Sequence, residues 1–396
     1  MGKITHLKAT QINDSNGKPT VQVELKAGKG TFTAACPSGE STGMYEAMAL
    51  PAAQAVDAIN KILAKRLTGL ELSDQKEFDE LLLSIDGTEN KSHLGANALL
   101  PVSIAACRAL AAATKTPLYR YIATLCDRDH VTLPLPSFNV VEGGAHTTGR
   151  NTLDLQEFMV VPQKKSFVEN FALASKIFAN LQRIVKENYG ENVAMGDEGG
   201  FAPPITKAEQ ALFLLKNAIG SDEAAISIDA AASQFLKEGK YMLEDKEISR
   251  DQLIDFYKDL VGRFPIIAIE DPFSENDWMG FAQIRRALPT TIIIGDDLTT
   301  TNIKRIKEAE HKKACNGVII KPNQIGTVWE ALEASRLAKS YGWNIIVSHR
   351  AGETIDDFIA DLAVGVGADF IKSGSPTQPE RMVKYKRLIE IEHELK

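Results

Sequence analysis

The chain has 396 residues, 44% of them hydrophobic, and a formal net charge of −7. That length leaves room for two or three domains and that apolar share fills a large core. The acidic balance, with no Lys/Arg-rich block, argues against a nucleic-acid partner. The four cysteines are scattered without a Cys-x-x-Cys pair, the usage of core thiols in a reducing compartment.

The opening Met1–His6 lacks the apolar core of a signal peptide, so the expected location is the cytoplasm. Residues 3–36 alternate apolar and polar, with turns at Asn16-Gly17-Lys18-Pro19 and Gly28-Lys29-Gly30. This predicts a three-stranded antiparallel meander. Residues 36–43, small and polar around Ser41, form a candidate mobile loop of the kind that carries function. From 52 to 126 the apolar period becomes helical. The most apolar stretch, around 96–113, contains Pro101 and Arg108 and is expected to be too short to span a bilayer, with no membrane insertion. Meander and helices together predict an N-terminal α+β capping domain over 1–126.

Residues 127–396 are read as a catalytic barrel. Residues 137–146 and 155–162 read as its first two strands, and Gly196-Asp197-Glu198-Gly199-Gly200 sets two acids between glycines. Strand-like runs then end abruptly in charge at Asp229, Glu270-Asp271, Asp296-Asp297, Lys321, His349-Arg350 and Lys372, with a small extra strand near 241–243. From Glu270 onward the charges recur every 23 to 28 residues, enough for one strand, one helix and two loops. Runs of β-branched residues without alternation suit strands buried on both faces. Repetition of the unit predicts a closed (β/α)₈ TIM-type barrel, in which residues ending strands converge on one mouth.

Three of those residues, Asp229, Glu270 and Asp297, offer oxygen ligands of the kind Mg²⁺ takes. A set without cysteine or a nearby histidine is wrong for Zn²⁺. Lys321 and Lys372 close buried runs, and burial beside other cations is expected to lower the Lys321 pKa enough for it to act as a base. Arg350, after His349, offers a guanidinium for phosphate or carboxylate. Glu157 and Glu198 are a possible carboxylate pair sharing one proton.

Nine motifs in order along the chain resemble the enolase family. They are Ser-Gly-x-Ser-Thr-Gly at 38–43, Lys-Ser-x-Leu-Gly-Ala-Asn-Ala at 91–98, Leu-Gln-Glu-Phe-Met at 155–159, Gly-Asp-Glu-Gly-Gly at 196–200 and Ile-Glu-Asp-Pro-Phe at 269–273. Asp-Asp-Leu-Thr at 296–299, Lys-x-Asn-Gln-Ile-Gly-Thr at 321–327, Ser-His-Arg at 348–350 and Ile-Lys-Ser-Gly at 371–374 complete the set. The resemblance implies a barrel opening ββαα and dehydration of 2-phosphoglycerate to phosphoenolpyruvate with two Mg²⁺ ions per active site. Asp229, Glu270 and Asp297 would hold the first ion, and Ser41 would help hold the second. Lys321 would take the proton at carbon 2, Lys372 would offset the developing charge, and Glu198, supported by Glu157, would protonate the leaving hydroxyl. Arg350 would bind phosphate while His146, Gln156 and His349 line the pocket. A homodimer is implied as well.

The sequence also departs from the family pattern, as a somewhat divergent member would. Ala351 stands where a serine is usual beside the phosphate, Asn16 where an arginine is, and Glu142 and Thr147-Thr148-Gly149-Arg150 alter the surroundings of His146. Two other readings therefore stand beside enolase chemistry: a paralogue that dehydrates a related acid, and a low-activity scaffold or surface-binding protein on the same fold.

Overall fold

A computed structural model of the chain describes residues 2–39, 43–147 and 153–396. The alternation at the start produces strands β1 (Gly2–Asn13), β2 (Pro19–Ala27) and β3 (Gly30–Ala35). They pair antiparallel, with Leu7, Ala9, Val21, Val23 and Leu25 buried on one face. Gly17 (φ 76°) and Gly28 (φ 58°) supply the left-handed turn positions. A two-residue strand β4 (Glu71–Leu72) extends the sheet beyond β1; so short a pairing leaves no periodicity to read.

Helix α1 (Ala52–Ala58) runs through a π turn (Ile59–Leu63) into α2 (Ala64–Leu67). Then follow α3 (Gln75–Asp86), α4 (Ala96–Ala113) and α5 (Leu118–Leu125). By length and composition α4 is sufficient to cross a membrane, contrary to the expectation that it was too short, but 78% of it is buried inside the fold. Its apolarity serves packing, because it lies against β2, β3 and α3.

The remainder comprises strands β5 (Leu135–Glu142) and β6 (Glu157–Pro162), helix α6 (Phe167–Tyr189), and the short strands β7 (Ala194–Met195) and β8 (Phe201–Ala202). After α7 (Ala208–Ile219) and β9 (Ala224–Asp229) comes a small antiparallel sheet, β10 (Leu236–Lys237), β11 (Lys240–Leu243) and β12 (Lys246–Ile248). Regular units follow: α8 (Arg250–Arg263), β13 (Ile266–Glu270), α9 (Trp278–Ala287), β14 (Ile292–Gly295), α10 (Ile303–Lys312) and β15 (Gly317–Ile320). The chain ends with α11 (Pro322–Ile325), α12 (Val328–Ser340), β16 (Asn344–Ser348), α13 (Phe358–Val366), β17 (Phe370–Lys372) and α14 (Pro379–Leu395).

Eight strands close the barrel in the order β5-β6-β9-β13-β14-β15-β16-β17, with β17 pairing back onto β5. Seven run the same way, and β6 alone is antiparallel to both neighbours. The ββαα opening is thus present. The N-terminal unit is fastened to the barrel by buried polar contacts. Lys91 Nζ meets Glu330 Oε1 at 2.6 Å, Arg108 holds Asp356 and Asp357 at 2.8 Å each, and Asp79 accepts the backbone N–H of Trp329 at 2.8 Å.

Candidate active site

Ala268, Ile294, Ile319 and Ile346 plug the barrel's interior. On a strand, residues two apart face the same side. Two positions beyond these four stand Glu270, Asp296, Lys321 and Ser348, which therefore turn inward at the mouth. Register places Asp229 beside Glu270, and Lys372 beside Ser348. Reversal of β6 brings its first residue, Glu157, to the same rim, paired with Glu142 on one side and Asp229 on the other.

The side chains form two arcs. Asp229 and Glu270 end the adjacent strands β9 and β13, and Asp296 follows the next, β14. The cations Lys321, Arg350 and Lys372 end or follow β15, β16 and β17. Lys372 reaches across the centre, with Nζ 2.9 Å from Glu270 Oε2, 3.0 Å from Glu157 Oε2 and 3.2 Å from Asp229 Oδ2. Lys321 Nζ pairs with Asp296, whose other oxygen accepts Gln324 Nε2 at 2.9 Å. Arg350 forms a two-pronged pair with Glu46 at 2.8 and 3.1 Å and also donates to Asn323 Oδ1 at 3.1 Å.

On the far side, His146 Nδ1 lies 3.7 Å from both Glu142 and Glu157 and 3.9 Å from Glu198. Glu198 Oε2 accepts Asn139 Nδ2 at 3.1 Å and lies 3.1 Å from His349 Nε2. Gln156 donates to Asp229 Oδ2 at 3.4 Å and is itself held by Gln234.

One cavity is thus lined by His146, Gln156, Glu157, Glu198, Asp229, Asp297, Lys321, His349, Arg350 and Lys372. Glu270 lies on its underside, above the apolar interior. Ser41 lies outside the described residues, as do Thr148, Gly149 and Arg150. Asp297 stands at the rim beside Gly43, while Asp296 is the acid that faces the lysines.

Burial and the neighbouring Glu198 push Glu157 well above the usual carboxylate range, and Lys372 only partly offsets them. Burial, Asp229 and the other acids raise Glu270 similarly. The expectation for Lys321 is corrected. Burial does favour its neutral form, as do Arg350 and Lys372, but contact with Asp296 outweighs them and its pKa is raised. The sequence showed the cationic neighbours of Lys321; it did not show that a carboxylate would touch its amine.

Two family models divide the chain between them. "Enolase, N-terminal domain" matches residues 4–122, and "Enolase, C-terminal TIM barrel domain" matches residues 130–396. The chain belongs to the enolase family.

Within this enolase-family site, all-carboxylate donors on adjacent rigid strand ends suit a hard divalent cation. Among the described residues Glu270 Oε1 is buried without a hydrogen-bond partner, the condition of an oxygen made to receive something else. Asp271, Asp296 and Asp297 also bring one oxygen each within 4.8 Å of one another, although Asp271 is already occupied by the backbone N–H groups of Asp296 and Asp297 at 3.0 and 2.7 Å.

The departures from the family pattern have definite places. Glu142 is buried and accepts the backbone N–H groups of Glu198 (3.1 Å) and Gly200 (2.5 Å), shaping the loop that carries Glu198. Ala351 presents a methyl group to the cavity beside Arg350. Asn16 donates its backbone N–H to Asp14 in a turn whose Ser15 hydroxyl reaches the carbonyl of Ala351 at 3.2 Å.

Sequence reasoning passed over Asp296, Glu46, Asn139, Gln324 and Arg381. Alternation from Ile292 through Ile294 would have pointed to Asp296. Glu46 and Arg381 lie in a loop and a helix with no local signal.

Proposed function

We propose that this protein is a magnesium-dependent hydro-lyase converting 2-phospho-D-glycerate to phosphoenolpyruvate. One observation carries the reading. In the closed strand order β15 lies four strands from β6 in either direction, so Lys321 and the Glu157–Glu198 pair face each other across the mouth. Removing a proton from one face of a substrate and a hydroxyl from the other calls for a base and an acid so placed.

Asp229, Glu270 and Asp296 form the inner acid arc for the metal, with Asp297 at its outer edge. These residues would hold a magnesium ion, which would supply positive charge against the substrate carboxylate. Lys321 takes the proton at carbon 2 as the neutral amine, the form that burial, Arg350 and Lys372 favour and that Asp296 and Glu270 oppose. Lys372 remains cationic at the centre and offsets the charge that develops as that proton leaves. Burial holds Glu157 protonated, whereas His349 and His146, against burial, hold Glu198 well below the usual carboxylate range, so the proton passes from Glu157 through Glu198 to the departing hydroxyl, which leaves as water. His146, Gln156 and His349 line the substrate's other sides. Arg350, presented by Glu46 and Asn323, has the planar fork that phosphate accepts. A second magnesium ion would draw on Ser41.

The reading extends to a cytoplasmic homodimer, with the division between capping domain and barrel at 126/127. The test is to mix purified protein, Mg²⁺ and 2-phosphoglycerate and follow phosphoenolpyruvate by ultraviolet absorbance; no absorbance change in active-site-saturating metal rejects the proposal. Ala351 favours a second reading, a relative acting on an acid with fewer phosphate contacts. Higher kcat/KM for a non-phosphorylated 3-hydroxy acid than for 2-phosphoglycerate would establish it.

A further inference from the structure

Arg381, on α14, is fully buried, yet among the described residues no carboxylate lies within ion-pair distance of it. A guanidinium removed from water without a counterion is costly, so what it does hold is informative. Nη1 donates to the carbonyl of Arg350 at 2.6 Å, and Nη2 to the carbonyls of Ala351 at 2.6 Å and Asp197 at 3.3 Å. Nε donates to Gln378 Oε1 at 3.2 Å. The remaining contact is 2.6 Å from Nη1 to His349 Nδ1. Arg381 thus ties the exit of β16, at 349–351, to the loop that carries Glu198.

The contact with His349 has a chemical consequence. A guanidinium only donates, so Nδ1 must offer a lone pair. The ring proton of neutral His349 then sits on Nε2, 3.1 Å from Glu198 Oε2. We propose that Arg381 is a positioning residue that locks His349 in the Nε2–H tautomer, so that it presents a neutral N–H towards Glu198 in place of a carried proton. Burial, reinforced by Arg381, pushes His349 down to about 3 although Glu198 opposes it, in keeping with a ring that stays neutral during turnover. Asn139 donates to the same Glu198 oxygen at 3.1 Å. With Asn139 donating to Oε2 and the His349 ring nitrogen 3.1 Å from the same oxygen, proton exchange with the substrate is directed to Oε1.

The tautomer can be read without any assay of turnover. In protein labelled with ¹⁵N-histidine, His349 (assigned by its loss in His349→Asn) should show a pyridine-like Nδ1 and a pyrrole-like Nε2, unchanged from pH 6 to pH 8. Arg381→Met should collapse this into an averaged pair of tautomers, and Arg381→Lys, which keeps a charged donor, should restore it in part. A protonated Nδ1 in the wild-type protein overturns the proposal even if the Met variant does not fold. So does a wild-type nitrogen pattern in a folded Arg381→Met protein. Only the link to rate rests on the proposed dehydration: Arg381→Met should lower kcat roughly tenfold to a hundredfold, the size of loss seen for outer partners of metal-ligating histidines, with KM little changed. Turnover of a different substrate would alter that assay and leave the nitrogen result standing.

Discussion

At the scale of single residues, the roles proposed for Lys321 and Glu198 can be separated. If Lys321 is the base, Lys321→Ala should lose about 10² to 10⁴ in kcat. It should also abolish exchange of the carbon-2 hydrogen with deuterated solvent, followed by NMR. Glu198→Gln should lose dehydration to a similar extent while retaining that exchange, because the base remains; loss of exchange in both variants would contradict the division of labour. Ala351→Ser restores a hydroxyl beside Arg350. One added hydrogen bond is worth about 0.5–1.5 kcal/mol, so KM for the phosphorylated substrate should fall roughly twofold to tenfold at unchanged kcat. Most cavity residues were legible because each terminates a recognisable strand or sits between glycines. Asp296 and Asp297 show the limit: adjacent acids look alike in a sequence, and only alternation of the side chains along β14 separates the inward one from its neighbour. The raised pKa of Lys321 was not legible either, because it depends on a contact formed across 25 residues of chain.

At the scale of elements, the inner strands declared themselves by apolar runs closed by charge, and helices by their period. The short pairings β4, β7, β8 and β10 did not, since two residues carry no pattern. The contacts between α3 and α12 were also hidden, yet they shape stability. Asp79, on α3, accepts Gln75 Nε2 at 3.0 Å and the N–H of Trp329 at the start of α12 at 2.8 Å. Burial pushes its pKa up to about 7 despite those donors. An unfolded aspartate titrates near 3.9, so between about 4 and 7 the folded form binds more protons than the unfolded one. This contribution is therefore fully present below about 4 and is lost as pH rises through 7. Three units correspond to about 4 kcal/mol at most. Asp79→Asn should flatten that part of the stability profile, measured as urea midpoints from pH 5 to pH 8; an unchanged slope would assign the titration elsewhere.

At the scale of the molecule, the barrel separates charge into an acidic arc over β9, β13 and β14 and a cationic arc over β15, β16 and β17. In the protein without metal the acids repel one another and lean on Lys372 and Lys321. A cation that binds only the folded form stabilises it, by about 2.7 kcal/mol at a hundredfold excess over Kd. Added Mg²⁺ should therefore raise the melting temperature and chelator should reverse the rise. Asp296→Asn should remove most of the effect, by differential scanning fluorimetry, whereas Asp297→Asn should remove less. Equal losses in the two variants would erase the distinction between inner and outer acids. The closed topology followed from repetition of one unit, but the reversal of β6 could not be read from its residues, because strand direction leaves no mark on composition.

That reversal has an outcome for how such a molecule can diversify. Since β5 arrives at the rim and β6 departs from it, both ends of the segment 143–156 are anchored on the catalytic side. Insertions or deletions there leave every other strand in its staggered place, so the chain carries a site where the pocket's walls can be re-cut by editing length alone while Lys321, across the mouth, stays as it is.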